Sequence, residues 1–344
     1  MKAYAHLRKA ASDFEKKLYQ SKRTRNLLIC VLLLALASIP LFQPGQYFIR
    51  ILSLIGIYAI LALSLNLVTG NLGQISMGHA AFYCIGAYTM SLLATKLGWN
   101  FFPGALAGMI TAGIGGLFLS TSTMRLSGSY LALTTLGFGE VVKMVALNWT
   151  SLTNGPLGIR SIPRPEIFGL ALSTTNAGIY YLMLFLVSIV VVICSFINNS
   201  KMGRAVRAIK EDELAAKLMG VETKKYKVLT ITISSAIAGL AGACYASLTR
   251  YIDPNTFNFD VSMVILSIVI FGGMGSIPGM LLGASILVSF PEILRFVSEY
   301  RFVIYGLILV IMMRFRPQGL LGGLKRTPYR LPDGVVAPVL EDNK

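Results

Sequence analysis

The sequence predicts an all-α polytopic membrane protein with about ten transmembrane helices, some of them broken or re-entrant. Three observations predict it. Hydrophobic residues make up 55% of the chain and charged residues only 13%, where a soluble domain carries about 25% charged residues. Apolar runs approaching the ~20 residues needed to cross the hydrocarbon core recur along the chain. Twenty-two of the 31 Lys and Arg residues fall in three blocks, eight in 1–25, eight in 201–227 and six in 314–344. That clustering reads as cytoplasmic flanks under the positive-inside rule. The net charge of +16 is therefore no sign of nucleic-acid binding.

Residues 1–25 are polar and basic, and are expected to lie on the anionic inner leaflet as a helix. The apolar run 26–42 behind them imitates a signal peptide. No A-x-A-like site follows and many more spans do, so it is read as an uncleaved first span. Further spans are expected at 50–69, 77–95, 102–121, 127–147 and 178–197. Six crossings return the chain to its starting side, in agreement with basic blocks at both 1–25 and 201–227. Residues 149–176, rich in Gly, Pro, Ser and Thr, are then an outside loop.

After the second basic block, 228–248 is one span and 301–314 another. Between them 261–290 is apolar and interrupted at Gly272–Gly279. A basic, cytoplasmic C-terminal end requires an even number of crossings after 227. The middle run is therefore two short crossings or a re-entrant hairpin. The units are a cytoplasmic tail 1–25, a transmembrane unit 26–321 with cytoplasmic loop 201–227, and a cytoplasmic tail 322–344.

Cys30, Cys84, Cys194 and Cys244 each sit within an apolar run, with no metal spacing and no paired pattern. They read as small core residues. With only two histidines in the chain, no metal site is expected.

Residues 203–220 form a charged, helix-prone island between the apolar runs. Val206 and Ile209 lie on one helical face, while Leu214, Leu218 and Val221 lie on another, rotated at about 100° per residue. The shift predicts two short helices with a bend near Lys210–Glu213, and Gly220 is placed to end the second. Ala215 and Ala216 at its centre would let another protein approach the backbone closely. An ordinary basic loop is the plainer alternative.

Two Gly-rich interruptions resemble each other, Gly70–Gly78 (GNLGQISMG) and Gly272–Gly279 (GGMGSIPG). Irregular backbone at membrane depth survives only where protein buries it or water lines it. Paired breaks of this kind point to a transporter's substrate path. Tight turns with small packing residues are the alternative. Candidate path residues are Asn66, Gly70, Gly73, Gln74, Ser76 and His79 at the first break, and Gly272, Gly273, Gly275 and Ser276 at the second. His79 also reads as a satisfied packing residue. Glu140 and Lys143 lie within one apolar span. An intramembrane carboxylate suggests function, but residues i and i+3 share a helix face, and a structural pair is favoured over a proton relay.

The runs Leu65–Tyr88, Thr134–Asn148, Asn154–Ile159 (NGPLGI), Gly203–Gly220, Ala236–Ala246 (AIAGLAGACYA), Phe271–Gly279 and Phe315–Leu321 (FRPQGLL) carry a resemblance. In this order they resemble the permease subunits of ABC importers for branched-chain amino acids, of the LivM type. The resemblance covers most of 50–321. It implies a multi-pass permease of a bacterial or archaeal cell (inner) membrane, both termini cytoplasmic, carrying Leu, Ile or Val. It implies as partners a paralogous permease of the LivH type, two ABC ATPase subunits, an extracytoplasmic amino-acid-binding protein and the lipid bilayer, and no nucleic acid. It also implies that the ATPases couple through Glu213, Ala215, Ala216 and Gly220, with Arg207 and Glu211 beside them. Leu214 separates the glutamate from the two alanines, a departure from the importers' EAA pattern.

The chain has no G-x-x-x-x-G-K-[ST] phosphate loop, so ATP is expected to be used by partner subunits and no cofactor by this chain. Alternative readings are a related permease for urea, short amides or other amino acids, and an ion-coupled secondary transporter. The second is disfavoured by the scarcity of acidic residues in the spans. A membrane-embedded enzyme would need a cluster of catalytic side chains, which the sequence lacks.

Overall fold

The computed structural model describes residues 45–124, 126, 128–167, 170–173 and 177–293, with isolated positions 38, 40, 303, 306, 307, 310, 312, 314 and 319–321. The basic tail 1–25, nearly all of the span at 26–42, more than half of the span at 301–314, residues 294–300 and the tail 322–344 lie outside the described residues, as does Cys30.

Helices form where the apolar runs predict them, because within hydrocarbon a helix satisfies its backbone groups inside one segment. The long helices before the basic island are α1 (Gln46–Asn66), α2 (His79–Lys96), α3 (Phe101–Thr123), α4 (Gly128–Asn148) and α5 (Gly178–Asn199). The island itself folds as α6 (Lys201–Glu211) and α7 (Glu213–Leu218). Then come α8 (Thr223–Thr249), α9 (Phe259–Gly272) and α10 (Ile277–Ile293).

Among the described residues, five segments are long and apolar enough to cross a membrane: Gln46–Asn71, Phe101–Thr123, Gly128–Asn148, Gly178–Asn199 and Thr223–Thr249. The expected span at 77–95 is the 18-residue α2, whose polar ends His79 and Lys96 fit its position enclosed by α3, α4 and α8. Buried Ser and Thr hydroxyls in the spans turn back onto carbonyls of their own helix, as Ser53 does on Ile49 and Ser247 on Ala243. That return bond spares an apolar medium an unpaired donor.

α8 is the hub, packing on α1, α2 and α3. It is 61% buried across its most apolar window, against 22% for the peripheral α4. Its small-residue run explains the close approach. A Cβ on Gly239 would sit 2.5 Å from the Ala112 Cβ and 2.6 Å from the Gly108 oxygen, and one on Gly86 would overlap the Gly239 carbonyl. The contact between α2, α3 and α8 is thus backbone on backbone, the small-residue packing that drives helix association in lipid.

The apolar run 261–290 is not one helix. It is the hairpin of α9 (14 residues) and α10 (17 residues) around Gly273–Ser276. At 1.5 Å per residue α9 spans about 21 Å, short of a ~30 Å core. The loop expected at 149–176 carries local structure. It holds a helical turn Thr150–Thr153, a 3₁₀ turn Gly155–Leu157 and a two-stranded hairpin, β1 (Glu166–Ile167) and β2 (Leu170–Ala171). Ile159 pairs with Ile252 as an isolated antiparallel bridge, tying this loop to the α8–α9 connection.

Candidate functional site

α1 does not stop cleanly at the first break. Its last turn, Leu67–Asn71, widens to a π-helix, and Gly73 then takes φ +75°. Such π turns replace i→i+4 with i→i+5 bonds and often mark functional sites. Residues 73–78 run back along the end of α1: the Gln74 N–H donates to the Val68 oxygen (3.2 Å), and the Thr69 hydroxyl donates to the Gln74 carbonyl (3.1 Å). α2 begins at His79, whose Nε2 lies 2.9 Å from Ser64 Oγ. The Ser64 and Ser234 hydroxyls already donate to the Leu61 and Ser64 carbonyls. With both hydroxyls donating elsewhere, Nε2 is the donor, which leaves Nδ1 as a buried acceptor without a protein partner among the described residues.

The second break is the α9–α10 turn. Gly273 and Gly275 have φ +105° and +88°, a region open to glycine. Ser276 Oγ accepts from the Gly279 N–H at the start of α10 (3.2 Å). Residues 319–321 lie against this break, with the Leu320 N–H donating to the Phe271 oxygen and the Leu321 N–H to the Gly272 oxygen.

The two breaks meet. Asn66 is 2% exposed, and its Oδ1 accepts from the Gly275 N–H at 2.7 Å. A Cβ on Gly70 would overlap Asn66 Oδ1 and sit 2.5 Å from the Gly275 nitrogen. Asn66, Gly70 and Gly275 are thus in direct contact, with Gly273 and Ser276 on the same turn as Gly275. Gly272 packs at the α9–α10 crossing, where a Cβ would overlap the Gly279 oxygen.

Ser76 and His79 lie apart from that contact. They line a narrow crevice of about 10 Å³, near the least that holds one water, with Thr123, Thr135 and Ser234 among its walls. Gln74 Oε1 is buried without a protein partner among the described residues.

The island at 201–220 forms the expected helix pair. Asp212 is the hinge: it ends α6 in an extended conformation, and its carboxylate caps α7 by accepting from the Ala215 N–H (2.9 Å). Gly220 has φ +84°. Val206 and Ile209 pack with Leu72 of the first break and with Ala216. Ala216 therefore faces its own chain, at 6% exposure, and not an incoming partner as expected. The open apolar face is Leu214, Leu218 and Met219, at 67%, 79% and 84% exposure. Glu213 is engaged internally with the buried Lys227 ammonium (2.6 Å). Arg207 donates to the Asn198 carbonyl (2.9 Å), while Ala215 and Glu211 are exposed.

Two contacts tie the island to the first break, the Leu72 cluster and Lys210 Nζ donating to the Gly70 carbonyl (2.8 Å), while Asn71 Nδ2 donates to Asn198 Oδ1 (2.7 Å) in the last turn of α5. Sequence reasoning missed Lys210, Asn71 and Asn198. Glu140 and Lys143 do approach each other along α4, at 3.7 Å, on a helix whose Tyr130, Leu133 and Val141 are exposed.

A further feature absent from the sequence reading lies at the opposite end of α8. Arg160, Ser161, Arg250 and Tyr251 line an open notch of about 580 Å³. Arg160 lies over the Tyr251 ring (5.8 Å), and Arg250 Nε donates to the Ile162 carbonyl (3.2 Å). No carboxylate pairs with either arginine among the described residues.

An all-α bundle of apolar spans with paired glycine breaks and a basic helix pair at one end defines a polytopic membrane permease. The chain belongs to the family described as the branched-chain amino acid transport system / permease component, which matches residues 47–313. It is 39% identical over 332 residues to the high-affinity branched-chain amino acid transport system permease protein LivM of Escherichia coli, covering 89% of this chain and 77% of that one. It is 29% identical to LivH of the same organism, over 77% of this chain and 91% of that one. A probable LivM of Methanocaldococcus jannaschii is 24% identical over 77% of this chain and 90% of that one.

Proposed function

We propose that this chain is one of two membrane-spanning permease subunits of an ABC importer for branched-chain amino acids, Leu, Ile or Val. The names of its LivM and LivH relatives support the substrate class. Their similarity to one another through this chain supports a LivH-type partner. Two separate ATPase subunits hydrolyse ATP, docking on the exposed Leu214–Leu218–Met219 face in the cytoplasm, with both chain termini on the same side. An extracytoplasmic binding protein delivers substrate to loops 149–176 and 250–260, where Arg160 and Arg250, without a carboxylate partner among the described residues, offer cations to acidic side chains. ATP-driven closure moves α6 and α7, and the two breaks part to let substrate through.

The observation that carries this reading is the seating of the first break on α6 and α7 through Leu72 and Lys210. A helix pair so placed can pass motion to the path without contacting substrate. The test is ATP-driven uptake into proteoliposomes holding the four membrane and ATPase subunits, with binding protein added outside. Leucine, isoleucine or valine uptake that needs both ATP and binding protein is the expected result. Uptake of urea or short amides in their place would move the chain to a related permease. Uptake driven by an ion gradient without ATP would overturn the importer assignment.

A further inference from the structure

We propose that Lys210 is a positioning residue that holds the first break closed against the second and releases it when α6 moves. This rests on the importer reading above. Lys210 stands in the last turn of α6, and its ammonium donates to the Gly70 carbonyl at 2.8 Å across 140 positions of sequence. Gly70 belongs to the π turn, whose i→i+5 bonding departs from the α-helical ladder.

The rest of the side chain is placed as deliberately. Its stem crosses over Gly73, where an added Cβ would meet Lys210 Cγ at 2.9 Å. The acidic residues beside it in sequence do not hold it: Asp212 caps α7 and Glu213 pairs with Lys227. No carboxylate pairs with Lys210 among the described residues. An ammonium with that freedom chooses a carbonyl because the fold presents one there.

Gly70 is also the residue on which the breaks meet. Its Cα faces Asn66 Oδ1 and the Gly275 nitrogen, while its oxygen faces Lys210. One peptide thus joins the island on one side to the second break on the other. The Leu72 cluster is buried and fixes where the break sits. Lys210 is exposed, so its bond can break and reform as α6 shifts without repacking a core. That makes it the switchable member of the two contacts between the island and the first break.

Lys210→Met keeps the stem over Gly73 and removes the donor, whereas Lys210→Arg keeps a cationic donor. The experiment uses the complete reconstituted importer, reading amino acid taken up per ATP hydrolysed. That ratio is independent of how much of the variant folds and assembles. Lys210→Met is expected to lower the ratio by about ten-fold while ATP hydrolysis continues, the scale of a single charged hydrogen bond or coupling contact. Lys210→Arg is expected to keep most of it. An unchanged ratio in Lys210→Met, with a wild-type importer that works, overturns the role of Lys210 alone. A wild-type complex with no ATP-driven uptake overturns the importer reading and this inference together.

Discussion

Asn66 Oδ1 lies 2.7 Å from the Gly275 nitrogen, joining two glycine breaks that stand 209 residues apart. The bond closes one end of the bundle between α1 and the α9–α10 hairpin. It places the irregular backbone of both breaks where protein satisfies it, as a membrane interior demands.

Asn66→Leu removes the acceptor and leaves the Gly275 N–H unpaired, a cost of about 1–3 kcal/mol. Gly70→Ala drives a methyl into Asn66 Oδ1, an overpacking of similar size, about 1–3 kcal/mol. Both are expected to lower the unfolding temperature in detergent and to depress uptake per inserted molecule. Gly73→Leu and Gly275→Leu, at φ +75° and +88°, are expected to block uptake as well. Wild-type uptake in all four would mean the breaks serve packing only.

The ion pairs on the basic side differ in weight. Lys227 is 6% exposed in its pair with Glu213, while Lys225 and Glu222 are both 71% exposed. Glu213→Gln strands a buried ammonium, but Glu213 itself is 48% exposed, so solvent discounts the loss to about 1–2 kcal/mol. Glu222→Gln is expected to cost less than about 0.5 kcal/mol. Thermal unfolding of the two variants side by side checks the order, and equal shifts would contradict it.

Much of this was legible in the sequence. The apolar runs set the helices because a bilayer leaves few other options. Basic-block parity argued against a single helix over 261–290, and two helices, α9 and α10, stand there. The phase slip between Ile209 and Leu214 foretold the bend that Asp212 makes. What could not be read was tertiary docking. The inward face of a six-residue helix is decided by what it lands on, so Leu72 turned Ala216 inward. Lys210 has no signature beyond a basic residue until the fold sets the Gly70 carbonyl beside it. Arg160 and Arg250 share a notch only because the Ile159–Ile252 bridge joins their loops.

Leu218→Asp places a charge on an exposed apolar face without touching the core. The purified permease is expected to unfold at the wild-type temperature yet to lose copurifying ATPase subunits. Gly220→Pro is expected to do more harm, since φ +84° is closed to proline, whose ring holds φ near −65°. ATPase retained in Leu218→Asp at wild-type stoichiometry would remove this face from the docking surface.

Reversing charge in the notch tests the opposite end. Arg160→Glu with Arg250→Glu is expected to weaken binding-protein stimulation of ATP hydrolysis, while hydrolysis without binding protein stays at its basal rate. Added salt should weaken the wild-type stimulation too, because exposed charges are screened beyond about 10 Å at 0.1 M. Stimulation equal to wild type in the double variant would exclude the notch from docking.

The most direct measurement is the distance between the breaks during turnover. Ile75 and Met274 stand one on each break and are 47% and 44% exposed, so each accepts a spin label after replacement by cysteine. Pulsed dipolar spectroscopy on the assembled importer, nucleotide-free and then trapped with ATP, reads their separation. A change of roughly 5 Å or more, the scale of a one-turn helix displacement, is the predicted result. A single unchanged distance in both states, in a labelled importer that still transports, would contradict a path that opens between these breaks.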